Sequence, residues 1–138
     1  MVTTETRRST ATLARWVVGM LLIGHGLIHI LGLLEIWGIA DIEELTGQPS
    51  IGIDQTAADI IATGCLTAFA ILAIAGIGVL ARKAWWRTWA IVGVVLSQTM
   101  IVIWWADAAT GTIPNLLVVA SVFLSRRLGI DYTQGSRT

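Results

Sequence analysis

Two histidines within an apolar segment are the residues of this sequence best suited to chemistry. His25 and His29 enclose the sequence His-Gly-Leu-Ile-His, so on a helix they lie one turn apart on the same face. Two imidazoles in that arrangement can bind one metal ion, with Glu35, Asp59 or Asp107 as a third ligand. One imidazole can also supply a single axial haem ligand, with the second coming from a partner chain. A metal site at His25 and His29 and a shared haem site are therefore two hypotheses.

Other polar residues in apolar segments fall at the same depth as these histidines. At 1.5 Å per helical residue, His25, Gln98 and Asn115 each lie about 15 to 17 Å from the nearest basic residue of their segment. His29 lies one turn further along, and Asp107 lies beyond it. Because lipid offers no hydrogen bonds, polar side chains inside a membrane need partners within the protein. We therefore predict that they form one polar column.

This polar column has further interpretations besides a metal or haem site. A histidine that exchanges protons near neutral pH, beside Gln98, Asn115 and an acid, is typical of a proton-handling or quinone-type site. A purely structural network of hydrogen bonds is the simplest alternative, at about 0.6 kcal/mol per contact. We also expect a shallow cavity at the outer face. Its lining residues would be His29, Asp107, Thr112 and Asn115.

The composition shows which kind of scaffold must position these residues. Of the 138 residues, 55% are hydrophobic and 13% are charged, and the mean hydropathy is +0.76. Soluble domains carry about 25% charged residues, so the composition predicts an integral membrane protein in contact with the lipid bilayer. A formal net charge of zero argues against a nucleic-acid partner, which requires a basic surface. Cys65 is the single cysteine, which excludes a disulfide within this chain and a cysteine-rich metal site.

Four apolar segments predict an all-α, four-helix membrane bundle that forms one domain over residues 1–138. They cover about 13–34, 57–81, 85–105 and 113–128, and a membrane-spanning helix needs about 20 residues. The fourth has the shortest apolar run, so we expect the turn before it to lie below the membrane surface. Tryptophans at the segment ends are typical of the aromatic belt at a membrane interface. Small residues on the second segment predict close helix packing: Gly64, Ala68, Ala73 and Gly76.

The distribution of charge predicts the orientation of the bundle. All nine basic residues lie on one side of the predicted bundle, together with Glu5 and Asp131, while the other seven acidic residues lie on the opposite side. The positive-inside rule then places both termini in the cytoplasm. The loop 35–56 faces outward, with a turn at 47–50 and either a short interfacial helix over 39–46 or an irregular connection.

The first segment resembles the DoxX-like family of small four-helix bacterial membrane proteins. The matching residues are Arg15, Gly19, His25 and Gly26, with His29 where that family often has a lysine, and the stretch 76–83 resembles the family's glycine-rich second helix and basic turn. The resemblance implies a bacterial inner membrane and an association with membrane redox chemistry, such as thiosulfate oxidation or an accessory role beside quinone-linked enzymes. It identifies no catalytic residue.

The leading interpretation is an accessory or redox-associated membrane subunit with a polar site that opens to the outer face. Its expected partners are a membrane redox complex or further copies of the chain. One alternative is a metal-, haem- or quinone-binding membrane enzyme that uses His25 and His29, and another is a purely structural, partner-binding bundle. Its candidate polar residues are His25, His29, Gln98, Asp107, Thr112 and Asn115. The sequence names no cofactor and leaves enzymatic activity open.

Overall fold

Helices make up most of the computed structural model, which describes residues 4–40, 43, 52–127 and 129–130. No strand is present in these ranges. Three long helices are followed by two short helical pieces and a last helix. The elements are α1 (Thr4–Ile36), α2 (Gln55–Leu80), α3 (Trp86–Ile103), α4 (Trp105–Ala108), a 3-10 turn (Ala109–Gly111) and α5 (Thr112–Leu124).

Four stretches of these helices are long and apolar enough to cross a membrane: Ser9–Ile36, Gln55–Leu80, Trp86–Ile103 and Trp105–Leu124. This confirms the all-α architecture and is compatible with the small membrane protein predicted from composition. The fourth stretch differs from the sequence prediction in where its helical backbone begins. Residues 105–111 are helical rather than irregular, so α4, the 3-10 turn and α5 together supply 20 residues. The short apolar run therefore belongs to a longer helical stretch.

Local sequence explains where two of the helices begin and end. Asp54 precedes α2, and its carboxylate accepts a hydrogen bond from the backbone N–H of Ala57 at 2.8 Å, which satisfies a donor that the helix leaves free. After α1, Gly38 adopts a φ of 63°, and the N–H of Ile39 donates to the carbonyl of Leu34 at 2.9 Å. A glycine in this left-handed conformation is a common helix end.

Glycines allow α1 and α2 to pack with their backbones close together. A Cβ atom added to Gly76 would lie 2.9 Å from the carbonyl oxygen of Gly19 and 2.7 Å from the side chain of Ile23. One added to Gly26 would lie 3.2 Å from the carbonyl oxygen of Phe69. These approaches fix the distance between the two helices, as small residues do in membrane bundles.

The small residues of α2 are divided between two neighbouring helices. Gly76 packs on α1, whereas a Cβ atom added to Gly64 would lie 3.1 Å from the Sδ of Met100 on α3. Ala68 is fully buried. The small residues therefore serve close packing as predicted, but α2 lies between α1 and α3 and uses more than one face.

The tryptophans separate into two groups. Five are 42% to 56% exposed, as interface anchors are expected to be: Trp16, Trp37, Trp85, Trp89 and Trp105. In contrast, Trp86 is 2% exposed and Trp104 is 9% exposed. These two fill the interior of the bundle, so the aromatic belt does not account for them.

The two ends of the bundle carry opposite charges. The acidic end, where α1 finishes and α2 begins, carries Glu35, Asp54, Asp59 and Asp107. The basic end, where α2 finishes and α3 begins, carries Arg82, Lys83, Arg87, Arg126 and Arg127. The predicted turn at 47–50 and most of the predicted interfacial helix over 39–46 lie outside the described residues.

We expect the acidic end to face the outside of the cell, because the basic end is retained in the cytoplasm. In a Cys65→Ala background, a membrane-impermeant thiol reagent added to intact cells should label Asp54→Cys. It should label Lys83→Cys only after the membrane is permeabilised. Labelling of Lys83→Cys alone in intact cells would show the opposite orientation.

Candidate functional site

Three helices bring six polar side chains together in the middle of the bundle. We call them the polar cluster: His25 and His29 of α1, Ser97 and Gln98 of α3, and Thr112 and Asn115 of α5. His25 is 3% exposed, Ser97 is fully buried and Asn115 is 2% exposed. A cluster buried at this depth must satisfy its own hydrogen bonds.

Asn115 makes three hydrogen bonds between helices, as many as Ser97 does. Its Nδ2 donates to the Oε1 of Gln98 and to the Oγ of Ser97, each at 3.1 Å. Its Oδ1 lies 2.8 Å from the Nε2 of His25. Gln98 continues the chain, since its Nε2 donates to the Oγ1 of Thr112 at 3.2 Å. Asn115 therefore joins all three helices.

The directions of these hydrogen bonds assign the protons on both imidazoles. The Oδ1 of Asn115 can only accept, so the Nε2 of His25 carries a hydrogen and donates to it. The Oγ of Ser97 lies 3.0 Å from the Nε2 of His25 and 2.8 Å from the Nε2 of His29. Because Asn115 and His25 both direct hydrogens towards that oxygen, the Ser97 hydroxyl donates its own hydrogen to His29. The Nδ1 of His25 thus carries a lone pair, and the Nδ1 of His29 carries a hydrogen.

The structure brings together five of the six residues that the sequence singled out: His25, His29, Gln98, Thr112 and Asn115. Asp107 lies instead on the wall of the adjacent cavity. Ser97 was missed, because serine in a helix often bonds to its own backbone. The signal that could have identified it is the buried stripe of small residues Ala90, Gly93 and Ser97 on α3, which leaves room for side chains from other helices.

A cavity of about 330 Å³ lies between the polar cluster and the acidic end of the bundle. Its wall is mainly apolar, with contributions from all the long helices and from the 105–111 segment. The apolar lining residues are Ile28, Leu31, Gly32, Ile36, Cys65, Met100, Ile101, Trp104, Ala108, Gly111 and Pro114. The polar lining residues are His25, His29, Glu35, Asp107 and Thr110. Of the expected lining residues, His29 and Asp107 lie on this wall, whereas Thr112 and Asn115 are not among the residues that line it.

Two buried polar atoms of cavity-lining residues lack a hydrogen-bond partner in the described part of the chain. They are the Nδ1 of His25 and the Nε1 of Trp104. The first is an acceptor, given the proton assignment above, and the second is a donor. An unpaired buried polar group costs about 1 to 3 kcal/mol. Both atoms thus have a capacity for hydrogen bonding that a molecule in the cavity could satisfy.

The imidazoles are arranged around a hydroxyl group in this structure. Their rings pack edge to face, with centroids 5.4 Å apart and planes at 67°, and both Nε2 atoms bond to Ser97. A metal ion or haem iron bound through Nε2 would have to replace these bonds. Over residues 4–40, 43, 52–127 and 129–130, no group of three or more His, Cys, Asp or Glu residues could hold a metal ion. A metal ligand role for His25 and His29 remains a prediction.

Comparisons of the chain with protein-family models, with curated proteins and with solved structures found no match.

Proposed function

We propose that this chain is an integral membrane protein that binds a small, mostly apolar molecule in the cavity beside the polar cluster. The observation that carries the proposal is the pair of unpartnered buried atoms, the Nδ1 of His25 and the Nε1 of Trp104, on residues that line an otherwise apolar cavity. Small-molecule sites combine an apolar wall with a few polar groups that fix orientation, and their volumes begin at about 300 Å³. In the predicted orientation, the cavity opens to the outer face.

The polar cluster supports this proposal because it holds one wall of the cavity in place. His25 and His29 each line the cavity and are each tied to another helix by a hydrogen bond of 2.8 Å. A site whose polar groups are already positioned loses less freedom when a ligand binds. The cluster therefore acts as a rigid support for the ligand.

We further propose that the bound molecule connects the chain to membrane redox chemistry, as an accessory or redox-associated subunit in a bacterial inner membrane. The resemblance of the first helix to DoxX-like proteins supports this role. The cavity also suits the ring of a quinone-type molecule, because it combines apolar walls with buried histidines. A metal- or haem-binding enzyme that uses His25 and His29 is the second proposal, and a purely structural bundle is the third.

Filling the cavity tests the binding proposal. Gly32 lines the cavity, and a Cβ atom added there meets no atom of a neighbouring helix within 4 Å, so Gly32→Leu adds side-chain volume at the cavity wall without a clash at its Cβ. We expect the wild-type protein, purified in native lipid discs, to carry a small apolar molecule that mass spectrometry detects. Gly32→Leu should lose it almost completely.

Gly24→Leu is the matched control for this experiment. Gly24 also lies on α1 with open space around it, but it is exposed and outside the cavity wall, so this variant should retain the molecule. Equal occupancy in all three proteins would refute binding in the cavity. Metal analysis and an absorbance spectrum of the same samples test the second proposal. A fully folded wild-type protein without any bound molecule, metal or haem would leave the structural bundle as the function.

A further inference from the structure

We propose that the molecule bound in the cavity carries an uncharged hydroxyl group, which donates a hydrogen bond to the Nδ1 of His25. The inference rests on the proposed binding function and names the chemical class of the ligand. The supporting observation is the direction of the hydrogen bonds in the polar cluster, which determines whether the Nδ1 of His25 accepts or donates a hydrogen bond.

Asn115 fixes the proton on His25. Its Nδ2 faces two acceptors, the Oε1 of Gln98 and the Oγ of Ser97, so its Oδ1 is the atom that faces the Nε2 of His25. Reversing the amide would place Oδ1 against the Oε1 of Gln98, so that two acceptors would face each other. His25 is therefore held in the form whose Nδ1 accepts a hydrogen bond, and Asn115 acts as a positioning residue.

A hydroxyl group matches both unpartnered atoms in hydrogen-bonding type, because it can donate to one and accept from the other. Its hydrogen can bond to the Nδ1 of His25, and its oxygen can accept the hydrogen of the Trp104 Nε1. A carbonyl or an ether oxygen could bond to Trp104 but has no hydrogen for His25. The structure thus favours the hydroxyl form of an amphiphile over its carbonyl or ether form, and of a quinone-type molecule it favours the reduced quinol form.

The charge of the cavity wall excludes anions as preferred ligands. Glu35 and Asp107 both line the cavity, and Asp54 and Asp59 lie at the same end of the bundle. A carboxylate in the cavity would meet like charge and, when ionised, would have no hydrogen to donate to His25. An uncharged alcohol or phenol with an apolar tail meets both requirements.

Two probes that differ by one methyl group test this inference: 4-hexylphenol and its methyl ether, 4-hexylanisole. We expect the wild-type protein to bind the phenol about tenfold more tightly, as the loss of one buried hydrogen bond predicts. His25→Phe keeps a ring but removes the acceptor, so it should abolish the preference for the phenol, measured as the ratio of the two affinities within this variant. Trp104→Phe removes a donor that can bond to the oxygen of either probe. It should therefore lower the affinity for both probes and preserve the preference for the phenol.

Nitrogen NMR of the wild-type protein tests the same point without a substitution in the cluster. The Nδ1 of His25 should be free of hydrogen, and its resonance should shift with the phenol but not with the ether. Equal affinity for both probes, with binding lost in Gly32→Leu, would overturn the hydroxyl inference and leave the cavity site intact. If neither probe binds and no native molecule depends on Gly32, the proposed function itself fails.

Discussion

Replacing Asn115 with leucine is expected to lower the free energy of unfolding by about 2 kcal/mol. Asn115 makes three hydrogen bonds between helices, to His25, Ser97 and Gln98, and such bonds in membrane proteins average about 0.6 kcal/mol each. Leucine has a similar size, so the change removes hydrogen bonds without opening a large space. The Nε2 of His25 and the Oε1 of Gln98 would lose these partners inside the bundle. Reversible unfolding in mixed micelles, followed by circular dichroism, measures the difference.

Thr99→Val is the control for this substitution. Thr99 is exposed on the same helix as Ser97 and Gln98, and its hydroxyl donates to the carbonyl of Val95 within that helix at 2.9 Å. Because this bond joins no second helix, we expect a change of only a few tenths of a kcal/mol. If Asn115→Leu changed stability no more than Thr99→Val does, the polar cluster would not hold the helices together.

Gly76→Ala is expected to destabilise the bundle by a similar amount, about 2 kcal/mol, by forcing α1 and α2 apart. The added Cβ would lie 2.9 Å from the carbonyl oxygen of Gly19 and 2.7 Å from a side-chain carbon of Ile23. Ile23 can change its rotamer, but the carbonyl is part of the α1 backbone and can only move with the helix. Overpacking of this kind costs about 1 to 3 kcal/mol. The same unfolding measurement checks the result.

The matched control is Gly24→Ala, which adds the same methyl group where no other atom lies within 4 Å. Alanine favours a helix over glycine by up to about 1 kcal/mol, so this variant should be as stable as the wild type or more stable. The comparison separates helix propensity from packing. A stabilising effect at both positions would contradict the close contact between α1 and α2.

The glycine contact between α1 and α2 and the hydrogen bonds of Asn115 contribute differently to the proposed function. The glycine contact between α1 and α2 holds the scaffold together, whereas Asn115 also directs the protons of the residues that line the cavity. Asn115→Leu should therefore affect ligand choice as well as stability. Gly24→Ala leaves both the contact and the cavity wall unchanged, so it provides a reference for both measurements.

Much of the polar cluster could be predicted from the sequence because helix geometry is regular. With a fixed rise per residue, counting from the basic residues placed His25, Gln98 and Asn115 at one depth, and they do meet. Counting gives depth but not rotation about the helix axis. It therefore could not show that Ser97 bonds to both histidines, or that Thr112 and Asn115 are not among the residues that line the cavity.

The sequence by itself determined the all-α class of this protein and the segments that are apolar enough to cross a membrane, because hydropathy and helix length are properties of each segment alone. Only the tertiary structure decided which atoms lack partners, where the cavity lies and how the imidazoles are protonated. The Nδ1 of His25 and the Nε1 of Trp104 are unpaired because of how side chains from distant segments pack against one another. That packing depends on the rotation and close approach of whole helices, which no single segment encodes.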